Sequence, residues 1–114
     1  MSKKLDFNAW NVPVLELTMM DDTRTVLHVT SSSEKMMEEL NEVVPHLTDI
    51  QKTPDADSIR AVYDLAARLM SYNRQGVTVT VDDLRGKYKM NLEYLILFFN
   101  VYIEYIQEIS NAKN

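Results

Sequence analysis

VPVLELTMMDDTRTVLHVT, residues 12–30, decides the fold class. Leu15, Leu17 and Met19 alternate with Glu16 and Thr18, the period of a strand with one buried and one wet face. Val26, Leu27 and Val29 follow on the far side of Asp21, Asp22 and Thr23, which are polar turn formers. The segment predicts a β-hairpin. A lone hairpin is not stable in water, so the remaining chain has to cover it.

That remainder reads as helix. Ser31 and Glu34 have capping-box spacing ahead of Met36, Met37, Leu40, Val43 and Val44, which recur at helical intervals. Pro45 kinks this helix or opens a new turn, and HLTDIQK adds one short turn. The clearest helix follows: Thr53 as N-cap, Pro54 at the first helical position, then an apolar stripe from Ile59 to Met70, with Gly76 as terminator. VTVTV is an extended link. Thr80 with Asp83 caps a short helix weakened by Gly86, and Asn91 caps a last helix from Leu92 to about Ser110.

Strands first and helices after predict an α+β domain: an N-terminal β-hairpin packed on a small bundle of three to four helices with a long apolar C-terminal helix. The 114 residues suit a single domain: an arm (1–12), the hairpin (13–30), a helical part (31–110) and a frayed tail (111–114). Phe7 and Trp10 stand out in the polar arm. They either dock on their own domain or reach a neighbouring subunit.

The last helix contains YLILFFNVYIEY, residues 94–105, apolar around most of its circumference. Leu95, Phe98, Phe99, Tyr102, Ile106 and Ile109 step by three and four and form a core stripe. Tyr94, Leu97, Val101 and Tyr105 lie on a different side. They are either further core or a surface for self-association or client binding. The run is bounded by Glu93 and Glu104 and broken by Asn100, far short of the ~20 residues a membrane span needs. Seven methionines favour an adaptable binding surface.

Composition narrows the function classes. At 46% hydrophobic and 25% charged, the chain reads as globular rather than disordered. A net charge of −5 argues against a phosphate-binding surface. Without cysteine there is no disulfide or thiol nucleophile, and no apolar h-region follows the basic N-terminus. His28 and His46 have no spaced ligand partners, so no metal or cofactor is expected. The pairs Asp21–Asp22 and Asp82–Asp83 are explained by a turn and a helix start, and Ser31 to Ser33 by a helix start. No catalytic residues are expected. Residues 81–105 also have the outline of a helix-turn-helix, so a small DNA-binding regulator is the alternative reading. Its second helix, however, has no Arg or Lys before Lys113.

Residues 1–29, then DLAARLMSYNRQG (64–76) and LRGKYKMNLEYLILFFNVYIEYI (84–106), resemble the tail assembly chaperones of long-tailed phages and prophages of Gram-positive bacteria. The resemblance spans nearly the whole chain and is densest from Asp64 onward; it lies in fold-forming segments and not in an active-site signature. It implies a non-enzymatic role in the host cytoplasm: binding the tape measure protein, a long helical and aggregation-prone chain, and helping to recruit tail tube protein around it. It also implies a homo-oligomer that is absent from the finished virion. A longer frameshifted form is frequent in the family, and Ala112 to Asn114 is where a slippery run could be encoded.

Overall fold

A computed structural model describes residues 13–112; Phe7 and Trp10 of the arm lie outside the described residues. The order is β1 (Leu15–Thr18), β2 (Val26–Val29), α1 (Glu34–Val43), a 3-10 turn (Val44–His46), α2 (Leu47–Lys52), α3 (Ala56–Met70), α4 (Val81–Arg85) and α5 (Leu92–Ala112). This is the α+β arrangement of a hairpin on helices.

β1 and β2 pair antiparallel in the register Leu15↔Val29, Glu16↔His28, Leu17↔Leu27 and Thr18↔Val26. Leu27 and Val29 are fully buried, while Glu16 and Thr18 are exposed, so the alternation seen in the sequence sorts the two faces. The turn is held by Asp21. Its carboxylate accepts from the Thr25 backbone N–H (2.7 Å) and from the hydroxyls of Thr23 and Thr25. Arg24 takes the left-handed conformation (φ 49°) that brings the chain round.

The chain after α3 runs beside β2 as a third, strand-like piece. Val29 bridges Asn73, Thr30 N–H donates to the Tyr72 carbonyl (2.8 Å), and Arg74 N–H to the His28 carbonyl (3.0 Å). Gln75 completes this edge with its side chain, accepting from His28 N–H (3.0 Å) and donating to the Val26 carbonyl (2.9 Å). The return depends on Asn73, whose amide donates to the Met70 and Val77 carbonyls (2.8 and 2.7 Å) and accepts from Val77 N–H (2.9 Å). Gly76 follows with φ +70°, a conformation other residues adopt only with strain. Gly76 thus closes this turn, while α3 itself ends earlier at Ser71.

Two helix starts differ from the sequence reading. The cap of α1 is Ser33, not Ser31: its hydroxyl accepts from Met36 N–H, which leaves Met36 and Leu40 directed into the core. The cap of α3 is Asp55, not Thr53. Asp55 is extended (φ −129°, ψ 142°) and accepts from Asp57 N–H, so Pro54 precedes the helix. At α4 the Thr80–Asp83 capping box is complete in both directions (3.0 and 3.1 Å), and Gly86 ends the helix. Asn91 caps α5 by accepting from Tyr94 N–H (3.0 Å). Pro45 opens the 3-10 turn between α1 and α2.

The core lies where α3 and α5 pack together under the hairpin. Val62, Leu65, Ala66 and Leu69 of α3 meet a fully buried α5 row of Leu95, Phe99 and Tyr102. Burying each large side chain contributes roughly 1.5–3 kcal/mol. The core's polar tips are satisfied: Tyr63 donates to the Met90 carbonyl (3.2 Å), and Tyr102 to Ser32 Oγ (3.2 Å). Arg68 ties α3 to α1 through Glu39 (2.7 Å).

Candidate interaction surface

Helical geometry divides α5 into faces, because successive side chains turn by about 100°. Leu95, Phe98, Phe99, Tyr102, Tyr105 and Ile109 are buried. Opposite them, Glu93, Asn100, Glu104 and Gln107 are exposed. Between these faces, on the hairpin side, Tyr94 is 45% and Leu97 59% exposed, and Val101 is half-buried. The helix is therefore not apolar all round. It has a core face, a polar back, a half-buried flank of Ile96 and Ile103 packed on the core, and one exposed apolar flank.

That flank forms a wall of a groove of about 270 Å³. Leu17, Thr18, Met19 and Met20 of the hairpin form the opposite wall. Met70, at the end of α3, and Met90, ahead of α5, lie between them. Among the described residues the exposed large hydrophobics are Met20, Tyr72, Tyr94 and Leu97, and all but Tyr72 line this groove. Four of the seven methionines also line it. Unbranched thioether side chains repack cheaply, so such a wall adapts to apolar partners of different shape.

Three of the six expected contact residues, Tyr94, Leu97 and Val101, come together here. Tyr105 does not join them. It is 5% exposed, and its hydroxyl donates to the Pro13 carbonyl (2.6 Å), so it belongs to the core face. Its position along α5, four residues past Val101 and three past Tyr102, turns it toward the start of β1. Phe7 and Trp10 lie outside the described residues. The sequence reading missed the hairpin wall, Met19 and Met20 above all. The adjacent methionines closing β1 were the available signal.

Asp21, Asp83 and His28, weighed for chemistry, have structural partners. Hydrogen bonds from Thr25 hold the Asp21 carboxyl below its ordinary range against the opposing effect of burial. Asp83 completes a helix cap. The Nδ1 of His28 lies 2.8 Å from the Gln75 amide, and its other nitrogen 3.9 Å from Glu16. His46 lines an open cleft of about 610 Å³ between α2 and α3 with Asp49, Lys52 and Ser58. Among the described residues no group of three or more His, Cys, Asp or Glu side chains is placed to hold a metal.

Two of the three cations just ahead of α5 lie over rings: Arg85 over Tyr63 (4.6 Å) and Lys87 over Tyr88 (5.2 Å). α5 itself has no Lys or Arg and shows Glu93 and Glu104 on its exposed side. Among the described residues no helix is long and apolar enough to cross a membrane. Compared with protein families, curated proteins and solved structures, the chain matches none.

Proposed function

We propose that this chain is a tail assembly chaperone: it holds apolar helical segments of a tape measure protein in solution and passes them to tail tube protein in the host cytoplasm. The observation that carries the reading is the methionine-walled groove beside Leu97. A holdase for aggregation-prone helices needs exposed apolar surface that tolerates many sequences. It also needs a charged exterior to remain soluble while presenting it, which the net charge of −5 and the acidic back of α5 provide. The resemblance of residues 64–106 to such chaperones supplies the client; the groove supplies a place for it.

The test is co-expression with a tape measure fragment, followed by light scattering of the fragment with and without the chain. Lower scattering and a co-eluting complex support the reading. A fragment that aggregates equally in both cases, with no complex, overturns it.

A further inference from the structure

We propose that two copies of this chain pair through the outer edge of β1, joining their hairpins into one four-stranded antiparallel sheet. The two edges of the hairpin are treated differently. The β2 edge is closed by residues 72–75: the N–H and C=O of His28 are taken by Gln75 and Arg74, and the Val26 carbonyl by Gln75. Among the described residues the β1 edge has no such cover. Met19 N–H donates inward to the Thr25 carbonyl (2.8 Å), so by alternation Leu17 and Leu15 also bond inward. Glu16 and Thr18 then direct their backbone groups outward, and among the described residues these groups have no partner. An open strand edge is a template for pairing, and folded proteins normally block it.

The occupant follows from the pattern of the strand. Val14-Leu15-Glu16-Leu17-Thr18-Met19-Met20 has the same order of polarity in both directions about Leu17. A two-fold axis through Leu17, normal to the sheet, places Leu15 opposite Met19 of the second copy and Val14 opposite Met20. Glu16 then faces Thr18, and the two exchange N–H and C=O groups as a hydrogen-bonded pair. No like charges meet, which a Glu16–Glu16 register would force. Such a two-fold contact uses one self-complementary patch on both partners. The axis also sets the two α5 helices on one side of the joined sheet. Met20, Tyr94 and Leu97, which line the groove walled by β1, thus lie on the side of the open edge.

Sedimentation equilibrium of the chain alone, with amide hydrogen exchange over a concentration series, tests this without any client. A dimer is expected, with protection of the Glu16 and Thr18 amides rising with concentration. Thr18→Pro removes an outward N–H and no hairpin hydrogen bond, a place where an edge strand tolerates proline. It should stay folded and weaken the dimer at least tenfold. A wild-type chain that is monomeric throughout overturns the proposal. So does a dimer in which the Glu16 and Thr18 amides exchange at the monomer rate, or one that a folded Thr18→Pro leaves intact. If Thr18→Pro does not fold, the wild-type exchange pattern decides alone. Because the client is absent from every arm, failure here leaves the chaperone reading untouched.

Discussion

The hydroxyl of Tyr105 donates a 2.6 Å hydrogen bond to the carbonyl of Pro13, joining the last helix to the residue that leads into the first strand. Tyr105→Phe keeps the buried ring and removes only this bond. A net loss of about 1 kcal/mol is expected, since such bonds contribute roughly 0.5–1.5 kcal/mol. Urea denaturation should show a lower midpoint at unchanged slope. An unchanged midpoint would mean that water replaces the bond at the exposed Pro13.

Burial raises the Tyr102 hydroxyl above the usual tyrosine value, against the opposing hydrogen bond with Ser32. Burial raises Tyr105 as well, assisted by its neighbour Tyr102. In both cases the folded state holds the proton more tightly than the unfolded chain. Above pH ~10 the unfolded tyrosines ionise first. The unfolded state then binds fewer protons than the folded one, so stability falls as pH rises from the unfolded value and levels off above the folded one. Denaturation midpoints from pH 8 to 11 should fall over the upper part of that range. Tyr102→Phe should flatten the fall.

The elements were legible in the sequence because the periods of two and of three to four are clean in Leu15–Met19, Ile59–Met70 and Leu95–Ile109. Thr80–Asp83 was legible because a capping box is local. The caps at Ser33 and Asp55 were not, since several adjacent residues can cap and tertiary packing chooses among them; at α1 the choice directs Met36 and Leu40 inward. The closure of the β2 edge leaves no periodic trace, because it is made by short backbone contacts of Tyr72 and Arg74 and by the Gln75 side chain, in a turn held by the Asn73 amide. On α5, Val101 and Tyr105 share one side by spacing. Only the position of the hairpin separates the flank residue from the buried one.

Asn73 shows how much depends on that hidden closure. Its amide makes three partly buried bonds, to Met70 and to both backbone groups of Val77. Asn73→Ala removes all three and leaves the Val77 N–H without its acceptor. At about 1 kcal/mol per bond, the loss should reach 2–3 kcal/mol. Amide exchange at Thr30 and Arg74, whose N–H groups bond across this edge, should accelerate along with global unfolding.

Leu97 and Phe99, two residues apart on α5, separate folding from binding. Phe99 is fully buried, so Phe99→Ala should cost about 3–5 kcal/mol through lost transfer energy and the cavity left behind. Leu97 is 59% exposed. Leu97→Gln keeps nearly the same helix propensity, so stability should stay within about 0.5 kcal/mol. It places an amide in the apolar flank of the groove, where any apolar client helix would have to desolvate it. If the groove binds the tape measure protein, Leu97→Gln should fold as the wild type does and suppress client light scattering several-fold less well. A Leu97→Gln chain with wild-type suppression would remove the groove from the function. One that unfolds like Phe99→Ala would assign this flank of α5 to the core after all.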